Sequence, residues 1–125
     1  MKELRAPQDL LPLSPLSLAI LLAVADEARH GYAIAKELEQ ESGGRLIPGA
    51  GTLYAALQRM LDDELIDETR AAKRNDDARR RYYALTPFGR DVAYAELERL
   101  SHLMVQARDK KLRTGLSLAY IRSGR

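Results

Sequence analysis

The chain has no cysteine, no tryptophan and a single phenylalanine. Without thiols there is no disulfide, no thiol nucleophile and no cysteine-ligated zinc, and the cytoplasm is the expected compartment. No apolar run approaches the roughly 20 residues of a spanning helix. The opening Met1-Lys-Glu-Leu-Arg-Ala-Pro lacks the apolar core and cleavage site of a signal peptide, so neither membrane insertion nor export is expected. The two histidines, His30 and His102, stand far apart with no Asp or Glu at metal-motif spacing. That leaves a capping or turn role for His30, a surface or interface role for His102, and no metal. Gly49-Ala-Gly-Thr is not followed by the Gly-Lys-Ser/Thr of a phosphate loop, and no Gly-x-Ser-x-Gly elbow occurs. Neither enzyme chemistry nor a cofactor is expected.

Strong net charge is also missing. Lys and Arg number 20 against 18 Asp and Glu, a formal balance of +2 over 125 residues. Distribution is more informative: Arg70, Lys73, Arg74, Arg79, Arg80 and Arg81 crowd one short stretch that holds only Asp76 and Asp77 as acids. A local basic surplus is the footprint of a surface that meets phosphates. At 14.0 kDa the chain is one domain, large enough to bury a core and small enough to gain from a partner.

The most organised stretch runs from Gly49 to Leu61. Leu53, Leu57, Met60 and Leu61 recur at helical spacing and anchor one face in a core. At about 100° per residue the opposite face carries Gly51, Ala55, Gln58 and Arg59, with Thr52 and Tyr54 on the shoulders. Small residues beside long hydrogen-bonding ones suit a helix that presses against a polar surface and reaches into it, as the major groove of DNA requires. Gln58 and Arg59 are the two groove-facing side chains able to make paired hydrogen bonds, typically to adenine and guanine respectively. They are the candidates for base readout.

Around this helix the spacing predicts a first helix from Ser14-Pro15 to about Asp26, with Leu16, Ile20, Leu21, Leu22 and Val24 as its apolar residues. Arg29-His-Gly-Tyr reads as a turn into a second helix over 31–42. Ile34, Ala35 and Leu38 face inward there, Lys36 and its acidic neighbours stay wet, and Gly43-Gly44 is the stop. The recognition helix spans about 51–64. Leu65 to Arg70 and Arg80 to Leu85 read as antiparallel strands, with Tyr83 and Leu85 on one face and Tyr82 on the other. Ala71 to Arg79 is a projecting wing with Asp76 and Asp77 as turn formers. Thr86-Pro87 starts the last helix, which runs to Lys110 or Lys111. Along it Ala93, Leu97, Leu100, Met104 and Ala107 alternate steps of four and three, a heptad seam that prefers another helix.

The expected fold is therefore mainly α (α+β), a winged helix-turn-helix of order helix, helix, helix, strand, wing, strand, helix. Residues 1–86 form the DNA-binding domain, 87–111 a dimerisation helix, and 112–125 a tail. Lys73, Arg74, Arg79 and Arg80 at the wing are expected on phosphate or in the minor groove, while Arg81 packs at the strand and contributes least.

Four stretches resemble the PadR-type transcriptional regulators: Leu13-Ser-Pro-Leu, His30-Gly-Tyr, Gly51-Thr-Leu-Tyr-Ala-Ala-Leu-Gln-Arg-Met, and Arg79-Arg-Arg-Tyr-Tyr-Ala-Leu-Thr-Pro-Phe-Gly-Arg. The likeness covers roughly residues 10 to 110. It implies a homodimeric regulator of double-stranded operator DNA, usually a repressor, whose single C-terminal helix supplies much of the dimer interface. On that likeness Thr52 and Tyr54 stand at the groove and Tyr32 lies close to the phosphate backbone; Lys36 is a further expected DNA contact. An unidentified small-molecule effector at the dimer seam is a further expectation, although the tryptophan of drug-binding members has no counterpart. A winged helix used only for protein interaction stays open as the alternative.

Overall fold

The computed structural model describes residues 5–69 and 80–112. After a short 3-10 turn at Pro7–Leu10 come α1 (Pro15–Ala23), β1 (Arg29–His30), α2 (Gly31–Glu41), α3 (Ala50–Asp62), β2 (Ile66–Thr69), β3 (Tyr82–Leu85) and α4 (Pro87–Asp109). The strands form one antiparallel sheet in the order β1-β3-β2. This is a winged helix with an added C-terminal helix, as expected.

The helix starts follow from local chemistry. Ser14 Oγ accepts from Ser17 N–H at 3.0 Å and Thr86 Oγ1 from Gly89 N–H at 2.8 Å, each before a proline that needs no partner for a missing N–H. His30 caps α2, its Nδ1 accepting from Ala33 N–H at 3.1 Å. Helix α1 ends at Ala23, earlier than Asp26, because the Arg29 side chain takes the Ala23 carbonyl at 2.7 Å. Leu22 is not core as expected but 49 % exposed, lying on the side of α1 away from Ile20 and Val24.

The predicted turn at Arg29-His30 is instead a strand, pairing Arg29 with Tyr83 and His30 with Tyr82. Two residues are too few for a period to show; the partner strand decides their conformation. That pairing also sets β3 in the middle of the sheet. Both Tyr82 and Tyr83 are buried, since β3 is central and the His30 ring covers Tyr82 edge-on at 5.2 Å.

The core joins Ile20, Leu21 and Val24 of α1, Ile34 and Leu38 of α2, Leu53, Leu57 and Met60 of α3, and Val92 of α4. Helix α3 closes with Leu65 N–H on the Met60 carbonyl and Glu64 N–H on that of Leu61, leaving Glu64 at φ +64°. Glycine is the usual occupant of that left-handed position. Thr86 binds the same corner, its hydroxyl donating to Glu64 O at 2.7 Å and its N–H to Leu65 O at 3.1 Å. A Cβ on Gly89 would overlap the Leu65 carbonyl oxygen, so only glycine lets α4 start this close to the end of α3.

Among the described residues one charged side chain is buried. Glu96 is 2 % exposed and accepts from Leu13 N–H at 3.1 Å and from the Arg99 guanidinium at 2.6 and 2.8 Å. It fastens the segment before α1 to α4. The Arg99 hydrogen bonds chiefly hold its carboxyl below the ordinary value of 4.5, overcoming burial, and the Leu13 N–H adds to them. Arg5 makes a second tie, pairing with Asp63 at 3.2 Å while lying 5.7 Å over the Phe88 ring.

Glu64→Gly should raise unfolding free energy by about 1 kcal/mol in urea titrations, by removing left-handed strain at a non-glycine residue. A carboxylate with a lowered folded pKa stabilises fully above its unfolded value, and that stability is lost as pH falls through the folded one. Glu96→Gln should therefore lower stability at neutral pH yet flatten the loss seen below the ordinary carboxylate value of 4.5, measured as melting temperature against pH.

Candidate nucleic-acid interface

Burial of Leu53, Ala56, Leu57 and Met60 turns the other side of α3 outward. Gly51, Thr52, Tyr54, Ala55, Gln58 and Arg59 are all exposed there. Arg59 has no ion-pair partner among the described residues, while Gln58 donates to Asp62 at 3.1 Å.

Helix α2 sets a second group beside it. Tyr32 and Lys36 are exposed, with the Lys36 ammonium 5.6 Å over the Tyr32 ring. The His30 ring stacks on Tyr32 at 6.3 Å, and its Nε2 stands 2.7 Å from Arg80 Nη1. A neutral imidazole accepts at one nitrogen only. Capping α2 through Nδ1 and holding Arg80 through Nε2 are thus alternatives, and with the cap made Arg80 remains available to an anion.

The two groups meet at Gly31. A Cβ there would overlap the Tyr54 hydroxyl and lie 2.7 Å from its Cζ, so the phenol of α3 rests against the first residue of α2. This is why glycine stands between His30 and Tyr32. Tyr54 stays 49 % exposed with its ring braced on one side. Beneath it Tyr83 is buried; burial first, then the Glu68 carboxylate, pushes its hydroxyl above the ordinary 10.0 and keeps it neutral.

Two other arginines, Arg29 and Arg81, are engaged in structure. Arg29, which sequence reading passed over, is half-buried and faces Glu27 at 3.5 Å, Asp26 at 3.6 Å and Glu37 at 3.9 Å. Arg81 pairs with Glu68 of β2 at 3.2 Å, with its side chain exposed rather than packed at the strand as expected. Lys73, Arg74 and Arg79 of the wing lie outside the described residues.

Along α4 the expected seam needs one correction. Ala93 is 8 % exposed and belongs to the chain's own core, because α4 buries this turn against α1. From Leu97 onward no residue of the helix is buried: Leu97 is 43 % exposed, and Leu100, Met104 and Ala107 are half-exposed. Leu103, 47 % exposed, was missed. It falls off the four-three path but continues the inward row of Val92 and Glu96 past the end of the core, which is the signal that would have found it.

No helix among the described residues is long and apolar enough to cross a membrane, and no group of His, Asp and Glu there could hold a metal ion. Residues 20–101 match the model of the transcriptional regulator PadR-like family. The chain belongs to that family. A PadR family transcription regulator from Clostridium difficile R20291 shares the fold, at 24 % identity over 77 % of this PadR-like chain and 97 % of its own, with a TM-score of 0.65. RosR of H. salinarum is 28 % identical over 82 % of this chain and 98 % of its own, with a TM-score of 0.59. An uncharacterized 37.1 kDa protein in transposon TN4556 of Streptomyces fradiae is 40 % identical over 87 residues. Those residues are 70 % of the PadR-like chain and 22 % of the transposon protein, so the chain spans about a fifth of that relative. Members of the family are transcriptional regulators rather than enzymes.

Gly31→Ala should displace Tyr54 and lower the melting temperature. Combined with Tyr54→Ala it should cost less than the two changes summed, since the obstructing ring is gone. Additive losses in calorimetry would show that the two positions do not touch.

Proposed function

We propose that this PadR-like chain is a cytoplasmic, homodimeric regulator that binds double-stranded operator DNA and represses transcription. The observation that carries the reading is the division of α3: four apolar residues fix it in the core, and Gly51, Thr52, Tyr54, Ala55, Gln58 and Arg59 form one continuous exposed face. Helix α3 enters the major groove, where Arg59 donates two bonds to a guanine and the small residues allow close approach. Tyr32, Lys36 and Arg80 lie on the neighbouring phosphates, and Lys73, Arg74 and Arg79 extend that contact along the wing. Opposite-charge partners already occupy Arg29 and Arg81, which concentrates the free positive charge on this side.

Two copies pair through the half of α4 beyond the core. Leu97, Leu100, Leu103, Met104 and Ala107 expose an apolar stripe that a second helix would cover. Two-fold symmetry then requires a near-palindromic site with half-sites about one helical turn, or a small multiple of it, apart.

Footprinting on the DNA upstream of the chain's own gene tests the reading. A symmetric, salt-sensitive footprint is expected, whereas absence of duplex affinity at low salt would leave a protein-interaction module instead. Arg59→Ala should relax preference at one base pair at a cost of roughly 1–3 kcal/mol. Lys73→Ala or Arg74→Ala should weaken all sequences alike and reduce the slope of log affinity against log salt by about one each. Leu100→Glu with Leu103→Glu should convert the dimer to a monomer in sedimentation equilibrium without unfolding it, since neither side chain is buried in the chain.

A further inference from the structure

The exposed face of α3 contains one hydrogen bond of its own. Gln58 Nε2–H donates to Asp62 Oδ1 at 3.1 Å, one turn along the helix, with both side chains exposed. An ionised carboxylate can only accept, so the contact fixes which end of the amide is nitrogen, an assignment otherwise open for a glutamine. One amide N–H is committed along the helix. What remains to point outward is the carbonyl oxygen and the second N–H, one acceptor beside one donor.

Adenine presents the complement of that pair in the major groove, an N6–H donor next to the N7 acceptor. Guanine presents two acceptors, N7 and O6. Against guanine the Gln58 carbonyl would face another acceptor. Turning the amide over would break its bond to Asp62 and set carbonyl against carboxylate, in a site that sheds water as DNA arrives. Arg59, the other long side chain on this face, makes no ion pair with Asp62 among the described residues, so the carboxylate is committed to Gln58.

We propose that Asp62 is a specificity-determining residue: by holding the Gln58 amide in one orientation, it makes one position of each half-site an adenine and excludes guanine. Asp62 acts through Gln58 and needs no contact with the base. The inference rests on the reading of α3 as the DNA-facing helix, and its test separates the two.

Full-length wild type, Gln58→Ala, Asp62→Ala and Asp62→Asn are each used to select from a randomised duplex library about three helical turns long, with melting curves as the check on folding. Wild type should enrich adenine at one position per half-site, and Gln58→Ala should erase that preference. Asp62→Ala should lower the adenine-to-guanine ratio there about tenfold. Asp62→Asn should keep the preference, because its side-chain oxygen still accepts from Gln58. Removing a negative charge near phosphates raises affinity for every sequence in both Asp62 variants alike, so a purely electrostatic role would not separate them. An unchanged ratio in Asp62→Ala, or guanine chosen by wild type at the Gln58-dependent position, overturns the role of Asp62 while leaving DNA binding intact. Failure of wild type to enrich any sequence overturns both.

Discussion

A helix held by one side has only the other side to offer, and the rest of this molecule depends on how α3 is held. Leu53, Leu57 and Met60 are each buried, worth roughly 1.5–3 kcal/mol apiece in apolar area removed from water. Rotating α3 by one residue position would expose part of that set and bury Gln58 or Arg59 without partners, a cost far above what an exposed contact could return. The outward face is therefore rigid in azimuth, and its Tyr54 is braced further on Gly31. Its far end is equally constrained, because the Glu64–Leu65 corner is bonded to Thr86 and backed by Gly89. Helix α4 is built directly onto the end of α3.

That joint gives α4 two roles along one rod. Its first half lies in the core, where Gly89, Val92, Ala93 and Glu96 are buried. Its second half continues the same row with no core left to face, so Leu103 and its neighbours are exposed by geometry rather than by composition. A charge at the boundary marks the change. Glu96 is tolerated inside because it is saturated by the Arg99 guanidinium and the Leu13 N–H, and in return it ties the leading segment across α4. A displacement of α4 would reach α3 through one rigid corner and the leading segment through the Leu13 N–H bond to Glu96.

The stretches that suggested the family become physical once their neighbours are known. Gly31 and Tyr54 lie far apart in sequence, yet each explains the other: the phenol needs the missing Cβ, and the short start of α2 gives the ring its seat. Leu13 supplies the N–H that Glu96 requires, and the Thr86-Pro-Phe-Gly run contains a cap, a helix start, a stacking partner for Arg5 and a close-approach glycine. Charge sorts in the same way. Composition counts Arg29, Arg59 and Arg81 alike, but carboxylates face Arg29 and Arg81, and Arg59 has no such partner among the described residues.

Sequence alone fixed what depends on spacing and local bonding: four helices, two proline-led caps, the buried and exposed faces of α3, and the basic stretch between the long strands. Each of these is settled within a few residues, by the helical period or by a side chain reaching its own backbone. Only the tertiary structure decided that Arg29-His30 is a strand, that Tyr82 is buried, that Leu22 is not, that Ala93 belongs to the core and Leu103 does not, and that Tyr54 rests on Gly31. All of these turn on which surface a distant part of the chain covers, and no local period encodes the distance at which a core ends.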